Sequence, residues 1–152
     1  MGDPAGIGGE ITLSAWRRSE GRGRAFYAID DPVRLRKLAE QCGIDCPLEV
    51  ITDPSDAVEA YSRALPVLEH RLNGAQTPGK PEPANAACVI SSIERAVSDA
   101  RAGRAAGIVT NPINKQALYE GAGFAFPGHT EFLGHLAGVD QTAMMLLSLI
   151  HI

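Results

Sequence analysis

Short β-prone runs alternate with amphipathic helical segments along much of this chain. The run AFYAI over residues 25–29 is followed by Asp31 and Pro32, which suit the N-cap and the first residue of a helix. That helix stops at Gly43, and a second run, LEVI over residues 48–51, comes next. Strands that alternate with helices predict an α/β protein with a largely parallel sheet.

Periodicity, glycine and proline predict the remaining elements. Helices are predicted over residues 10–18 and over 87–100, the second with an end near Gly103. A third helix is predicted from Asn111-Pro112 through Leu118 with an end at Gly121, and a fourth after Thr130 as an N-cap. Strands are predicted over 107–110 and 143–150. Residues 74–84, rich in proline and glycine, are predicted as a surface loop. Because such a domain normally begins with a strand and this chain ends in an apolar run, we expect it to be incomplete at both ends.

Composition limits the classes of function. The 152 residues are 45% hydrophobic, enough for one compact core, and 14 Lys and Arg against 18 Asp and Glu give a net charge of −4. This balance disfavours nucleic acid or anionic membrane as a partner. No apolar run reaches the roughly 18 residues that span a bilayer, and three cysteines favour a reducing compartment over a disulfide framework. We expect a soluble, cytoplasmic protein.

Three loops carry candidate ligand-binding groups. The glycine-rich loop over residues 2–9 offers backbone N–H groups at a helix start, which suits a phosphate or cofactor, but its glycines equally suit a simple turn. Asn114 and Lys115 follow a predicted strand, where Lys115 either binds an anion or is a solvated lysine. His129 and Thr130 lie at a predicted helix start, where they either face one anionic ligand or serve as a loop residue and an N-cap.

Other metal and nucleophile patterns are weak. Cys42 and Cys46 lack a second Cys or His pair at zinc-site spacing, so no structural zinc is predicted. The sequence also has no Gly-x-Ser-x-Gly or His-Glu-x-x-His motif, which disfavours α/β-hydrolases and zinc proteases of those types.

Four ordered segments resemble those of the 4-hydroxythreonine-4-phosphate dehydrogenases of pyridoxal phosphate biosynthesis. They are MGDPAGIG over 1–8, GKPEPAN over 79–85, TNPINK over 110–115 and FPGHTEF over 126–132. The resemblance implies an isocitrate/isopropylmalate dehydrogenase-like architecture and a cytoplasmic homodimer. It also implies an enzyme that uses NAD and a divalent metal (zinc, magnesium or cobalt) to oxidise the alcohol of a small phosphorylated hydroxy-amino acid. The oxidised product then loses CO₂ to give an amino-oxopropyl phosphate.

The same resemblance assigns residues. His129 and Thr130 match the family's substrate-binding pair, while Asp3, Asn114 and Lys115 match the edge of its active-site cleft; catalytic residues stay unassigned. Gly9 stands where the family usually has Pro. The family's three metal-binding histidines lie beyond the His-Thr motif, and His151 follows Met144 and Met145 too closely to be given that role.

Residues 1–146 are therefore interpreted as the amino-terminal part of such a dehydrogenase, inactive by itself. The tail over residues 147–152 resembles translated read-through rather than native sequence. Three alternatives stay open. One is a dehydrogenase of a related phosphorylated hydroxy acid, such as phosphothreonate or phosphoerythronate; another is a non-catalytic phosphate-ester-binding module; the third is a poorly folding chain with an exposed sheet edge.

Overall fold

The structure, a computed structural model, describes residues 1–145. In chain order these residues form α1 (Gly8–Ser19), β1 (Ala28–Asp30), α2 (Pro32–Cys42), β2 (Leu48–Ile51), α3 (Ala57–Tyr61), β3 (Leu65–Glu69), α4 (Ala86–Arg101), α5 (Lys115–Ala122) and α6 (His129–Ala137). Single 3₁₀ turns at Pro54–Asp56 and Pro83–Asn85 precede α3 and α4.

The three strands form a parallel sheet in the order β1-β3-β2, which confirms the α/β prediction. Neighbouring residues of the middle strand point to opposite faces. Val67 packs with residues of α1 and α2, including Leu13 and Leu35, whereas Leu68 packs with Ala57 and Ala60 of α3. The sheet is therefore covered by helices on both faces.

A second apolar cluster holds α4, α5 and α6 together. Val89, Ile93, Leu118 and Phe132 are its buried centre. Phe132 meets Phe124 edge to face, with ring centroids 5.1 Å apart. This cluster packs α5 and α6 against α4.

The predicted ends of α2 are confirmed. The Asp31 carboxylate accepts hydrogen bonds from the backbone N–H groups of Val33 (2.8 Å) and Arg34 (3.1 Å), as an N-cap does. Gly43 closes the helix in the left-handed conformation, with φ of 62°. Local chemistry is sufficient to define this helix.

Several predicted boundaries are wrong. Residues 107–110 are irregular and Val109 is 98% exposed, because a strand needs a paired neighbour and no strand of residues 1–145 lies beside this segment. Helix α5 begins after Asn114, whose side chain accepts from Ala117 N–H (3.0 Å), and ends at Gly123 rather than Gly121. Residues 143–145 are irregular, and the rest of the predicted terminal strand lies outside the described residues.

Two further findings concern the chain as a whole. Within residues 1–145, no helix combines the length and the apolar character that crossing a membrane requires. Cys42, Cys46 and Cys88 are free thiols. Burial, followed by the nearby charge of Asp45, raises the pKa of the Cys46 thiol to about 11, which leaves it an unreactive, neutral group.

Candidate active site

The loop over residues 2–8, called the glycine loop below, is held by three other segments. Asp3 N–H donates to the Pro112 carbonyl (2.9 Å), and Gly79 N–H donates to the carbonyl of Ala5 (2.8 Å). The Arg34 guanidinium donates to the Pro4 carbonyl (3.1 Å). Three of the four segments that carry the family resemblance are thus in direct contact.

The glycines of this loop serve close packing. A Cβ atom on Gly2 would lie 2.5 Å from the Pro112 carbonyl oxygen, and one on Gly8 would lie 2.8 Å from Asn111 Cβ. Asn111 also donates from Nδ2 to the Thr12 hydroxyl (3.0 Å), so it is fixed against α1. The space left by the missing side chains is filled by the protein itself. The turn interpretation of the glycines is favoured over a cradle for a phosphate or dinucleotide.

Asp3 and Asn114 line the same small cleft, together with Glu82 and Asn85. Their side chains also make backbone hydrogen bonds: Asp3 Oδ1 accepts from Ala5 N–H (3.0 Å), and Asn114 caps α5. Asp3 and Asn114 therefore hold the cleft walls in place.

Glu82 and Asn85 were not singled out from the sequence, although they lie in one of the four family-like segments. Asn85 is buried; its Oδ1 accepts from Gly74 N–H (2.7 Å) and its Nδ2 donates to the Ala75 carbonyl (3.0 Å). This amide closes the loop between β3 and α4. The presence of the segment in the family pattern was the signal that could have identified both residues.

His129 and Thr130 form the first turn of α6. The helix begins at His129 after an extended Gly128, so Thr130 is inside the helix and is not its N-cap. His129 Nε2 is buried, and residues 1–145 provide it with no hydrogen-bond partner. Burial is the main cause that lowers the pKa of His129, which favours the neutral imidazole. This ring nitrogen is therefore a buried polar atom without a hydrogen-bond partner among the described residues.

The predicted site residues do not all meet. The side chains that line the cleft do not include His129, Thr130 or Lys115, and Lys115 is exposed at the start of α5. Met1 packs against the cluster that contains both Val89 of the cleft and Phe132 of α6. The start of the chain thus lies between the two groups.

The described residues do not fit a metal centre. Among residues 1–145, no group of three His, Cys, Asp or Glu side chains is arranged to hold a metal ion, and His151 lies outside the described residues. The glycine loop is likewise filled by Asn111 where a dinucleotide phosphate would have to approach. We therefore assign neither a metal nor NAD to named residues of this chain.

A parallel sheet covered by helices on both faces places the chain among the α/β proteins. Within that class, the chain belongs to the family described as pyridoxal phosphate biosynthetic protein PdxA, which matches residues 23–149.

Named relatives agree with this assignment. The chain is 46% identical over 134 residues to a 4-hydroxythreonine-4-phosphate dehydrogenase of Xanthobacter autotrophicus, a match that covers 88% of this chain and 38% of that protein. It is 48% identical over 141 residues to one from Methylorubrum populi, covering 90% and 40%.

A crystal structure of a 4-hydroxythreonine-4-phosphate dehydrogenase from Burkholderia phymatum superposes with a TM-score of 0.86 at 32% identity, over 97% of this chain and 45% of that one. These matches confirm the expected family and, over the matched part, the isocitrate/isopropylmalate dehydrogenase-like architecture. The chain spans 38% to 45% of the length of these relatives.

Proposed function

We propose that this chain forms part of an enzyme that oxidises 4-hydroxythreonine 4-phosphate and decarboxylates the product to an amino-oxopropyl phosphate, in pyridoxal phosphate biosynthesis. The observation that carries the proposal is the family match over residues 23–149, together with relatives that bear this enzyme's name. The complete enzyme is proposed to be a cytoplasmic homodimer.

His129 and Thr130 are proposed to bind the phosphorylated substrate. The first N–H groups of an α-helix have no partner within the helix, and its N-terminus attracts negative charge. The buried Nε2 of His129 stands at this end of α6 and, as a neutral imidazole, can donate one hydrogen bond. A phosphate or carboxylate group can accept hydrogen bonds both from the ring nitrogen and from the N–H groups at the start of the helix.

The remaining parts of the site follow from this proposal. Asp3 and Asn114 hold the cleft walls, and Lys115, exposed at the start of α5, is proposed to contact an anionic group of the substrate. In the complete enzyme, NAD would supply a hydride acceptor and a divalent metal would supply Lewis acidity, and the described residues are assigned to neither group. Residues 1–145 supply binding and orientation rather than the redox centre.

The test is substrate binding by the purified chain, measured by isothermal titration calorimetry. We expect 4-hydroxythreonine 4-phosphate to bind and unphosphorylated 4-hydroxythreonine to bind far less. His129→Leu should weaken binding about tenfold or more, since leucine has no donor and a hydrogen bond to a charged group is lost. His135→Leu is the matched control, because His135 is an exposed histidine of the same helix. Equal effects of the two substitutions would contradict the assignment of His129.

The same assay separates the related substrates. Phosphothreonate and phosphoerythronate share the phosphate and a hydroxyl group with the proposed substrate but differ in the amino group. Tighter binding of either compound would favour a dehydrogenase of another phosphorylated hydroxy acid.

A further inference from the structure

Arg34 lies behind the glycine loop and is part of no motif. Its guanidinium is buried, and Nη1 lies 3.1 Å from each carboxylate oxygen of Asp30, at the end of β1. Its second terminal nitrogen, Nη2, donates to the Pro4 carbonyl at 3.1 Å. The planar guanidinium thus connects the sheet edge to the loop through several hydrogen bonds at once.

Gly9 provides the space that this arrangement needs. A Cβ atom at position 9 would lie 2.5 Å from Leu38 Cδ2 and 3.1 Å from Arg34 Nη2. The guanidinium therefore occupies the volume next to the backbone of residue 9. This contact gives a physical reason for glycine at position 9, because a Cβ atom there would meet Arg34 and Leu38.

The contact to Pro4 fixes the direction of the loop backbone. Pro4 O is turned toward α2 and the carbonyl of Ala5 toward Gly79, so consecutive peptide groups are held from two sides. Asp3, which precedes them, is held at Pro112 and faces the cleft with Asn114. A change in the direction of the Pro4 peptide moves Asp3 relative to that cleft.

We infer that Arg34 is a positioning residue: paired with Asp30 and admitted by Gly9, it holds the glycine loop so that Asp3 keeps its place in the small cleft that it shares with Asn114. This inference rests on the proposed function for the meaning of the cleft. It assigns no contact between Arg34 and substrate, since the guanidinium lies behind the loop.

The test compares four variants of the chain. Arg34→Met removes the guanidinium but leaves Asp30 buried without its partner, so Asp30→Asn/Arg34→Met is made alongside it to remove both charges. Arg34→Lys keeps the charge with fewer and less fixed hydrogen bonds. Arg36→Met, an exposed arginine of the same helix, is the matched control.

The readout is amide hydrogen exchange of Asp3, Gly6 and Gly79, with α4 as the internal reference. We expect exchange at the three loop amides to be on the order of tenfold faster in both variants that carry Arg34→Met, with α4 and Arg36→Met unchanged. Arg34→Lys should restore the melting temperature more fully than it restores the protection of the three loop amides from exchange. Unchanged loop amides, or equal acceleration in the loop and α4, would overturn the positioning role.

Affinity for 4-hydroxythreonine 4-phosphate links the loop to the site. Folded Asp30→Asn/Arg34→Met protein should bind this ligand several-fold more weakly than Arg36→Met protein, and equal affinity would overturn the inference. If the unsubstituted chain binds no phosphate ester, the proposed function fails. The exchange comparison still decides whether Arg34 holds the loop.

Discussion

Asp99 of α4 is fully buried and receives hydrogen bonds from three side chains. Arg95 Nε and Arg104 Nη2 lie 3.0 Å and 2.8 Å from its carboxylate oxygens, and the Tyr27 hydroxyl donates at 2.9 Å. Burial by itself would raise the pKa of this carboxyl, but the hydrogen bonds from Arg104, Tyr27 and Arg95 outweigh it and hold the pKa below its usual value. The carboxylate therefore joins α4 to the segment before β1.

Replacement of Asp99 by Asn should destabilise the fold by about 2 kcal/mol, less than for a fully buried ion pair because both arginines are partly exposed. The pKa of Asp99 is lower in the folded state than in the unfolded state. The contribution of Asp99 to the free energy of unfolding is therefore fully present above the unfolded pKa of about 3.9, and it is lost as the pH falls through the folded-state pKa. Urea unfolding at neutral and acidic pH measures this. Asp140→Asn is the control, because Asp140 is an exposed carboxylate outside the helices and strands. A similar loss there would contradict the prediction.

His129 should make folding less favourable in acid. Its folded-state pKa lies below the ordinary 6.5, so the unfolded chain binds more protons as pH falls below about 6.5, and the free energy of unfolding decreases. His129→Gln should remove this part of the pH dependence, whereas His135→Gln should retain it. Chemical unfolding between about pH 7.5 and pH 5.5 distinguishes them. A pH profile unchanged by His129→Gln would show that the imidazole is not held neutral.

Residues whose role depends on immediate neighbours were predictable from the sequence. Asp31 and Gly43 were expected as the ends of α2 and are so, because capping needs only a few adjacent backbone groups. His129 was expected at a helix start and is found there. Arg34 was not predicted, because its partners Asp30 and Pro4 are brought to it by the tertiary fold.

At the scale of elements, α5 packs closely on the turn before α4. A Cβ atom on Gly121 would overlap the Pro83 carbonyl and lie 2.8 Å from Ala86 Cβ. The sequence suggested that Gly121 ends the helix, but the helix continues to Ala122 and Gly123 ends it. Glycine is needed at position 121 because Pro83 and Ala86 lie close to it, and not because of its own backbone conformation.

Gly121→Ala should destabilise the protein by about 1 to 3 kcal/mol, although alanine is the better helix former, because the methyl group forces α5 away from Pro83. Thermal unfolding measures the change. Gly107→Ala is the matched control, since open space surrounds Gly107 and its φ is not positive. If Gly121→Ala stabilised the fold by the amount expected from helix propensity, the close approach would be disproved.

Strands were predicted less well than helices, for a physical reason. From the sequence, no strand is predicted at β3. Proline is unusual in a central strand, and the register shows that pairing with β1 starts only after Pro66, with Val67 opposite Ala28. The opposite error occurred at residues 107–110, where the residue types favour a strand but no partner lies alongside within the described residues. A helix completes its own hydrogen bonds, whereas a strand depends on distant sequence.

At the scale of the whole molecule, apolar side chains are exposed in two irregular segments. Val109 is 98% exposed, and Met144 and Met145 are 75% and 78% exposed. Both segments fall within runs that the sequence predicts as strands. Exposed apolar chain with unpaired backbone groups favours association with another chain.

Val109→Lys should therefore reduce self-association while leaving the free energy of unfolding within about 0.5 kcal/mol, because an exposed side chain makes few stabilising contacts. Sedimentation velocity over a range of concentrations measures the association. Val58→Lys is the control, since Val58 is 73% exposed but lies in the helix α3 rather than in an irregular segment. An equal reduction by both substitutions would attribute association to general surface hydrophobicity and charge. A reduction by Val109→Lys alone would place the contact at residues 107–110. This segment offers an exposed hydrophobic side chain, and its N–H and C=O groups make no hydrogen bonds to other residues within 1–145.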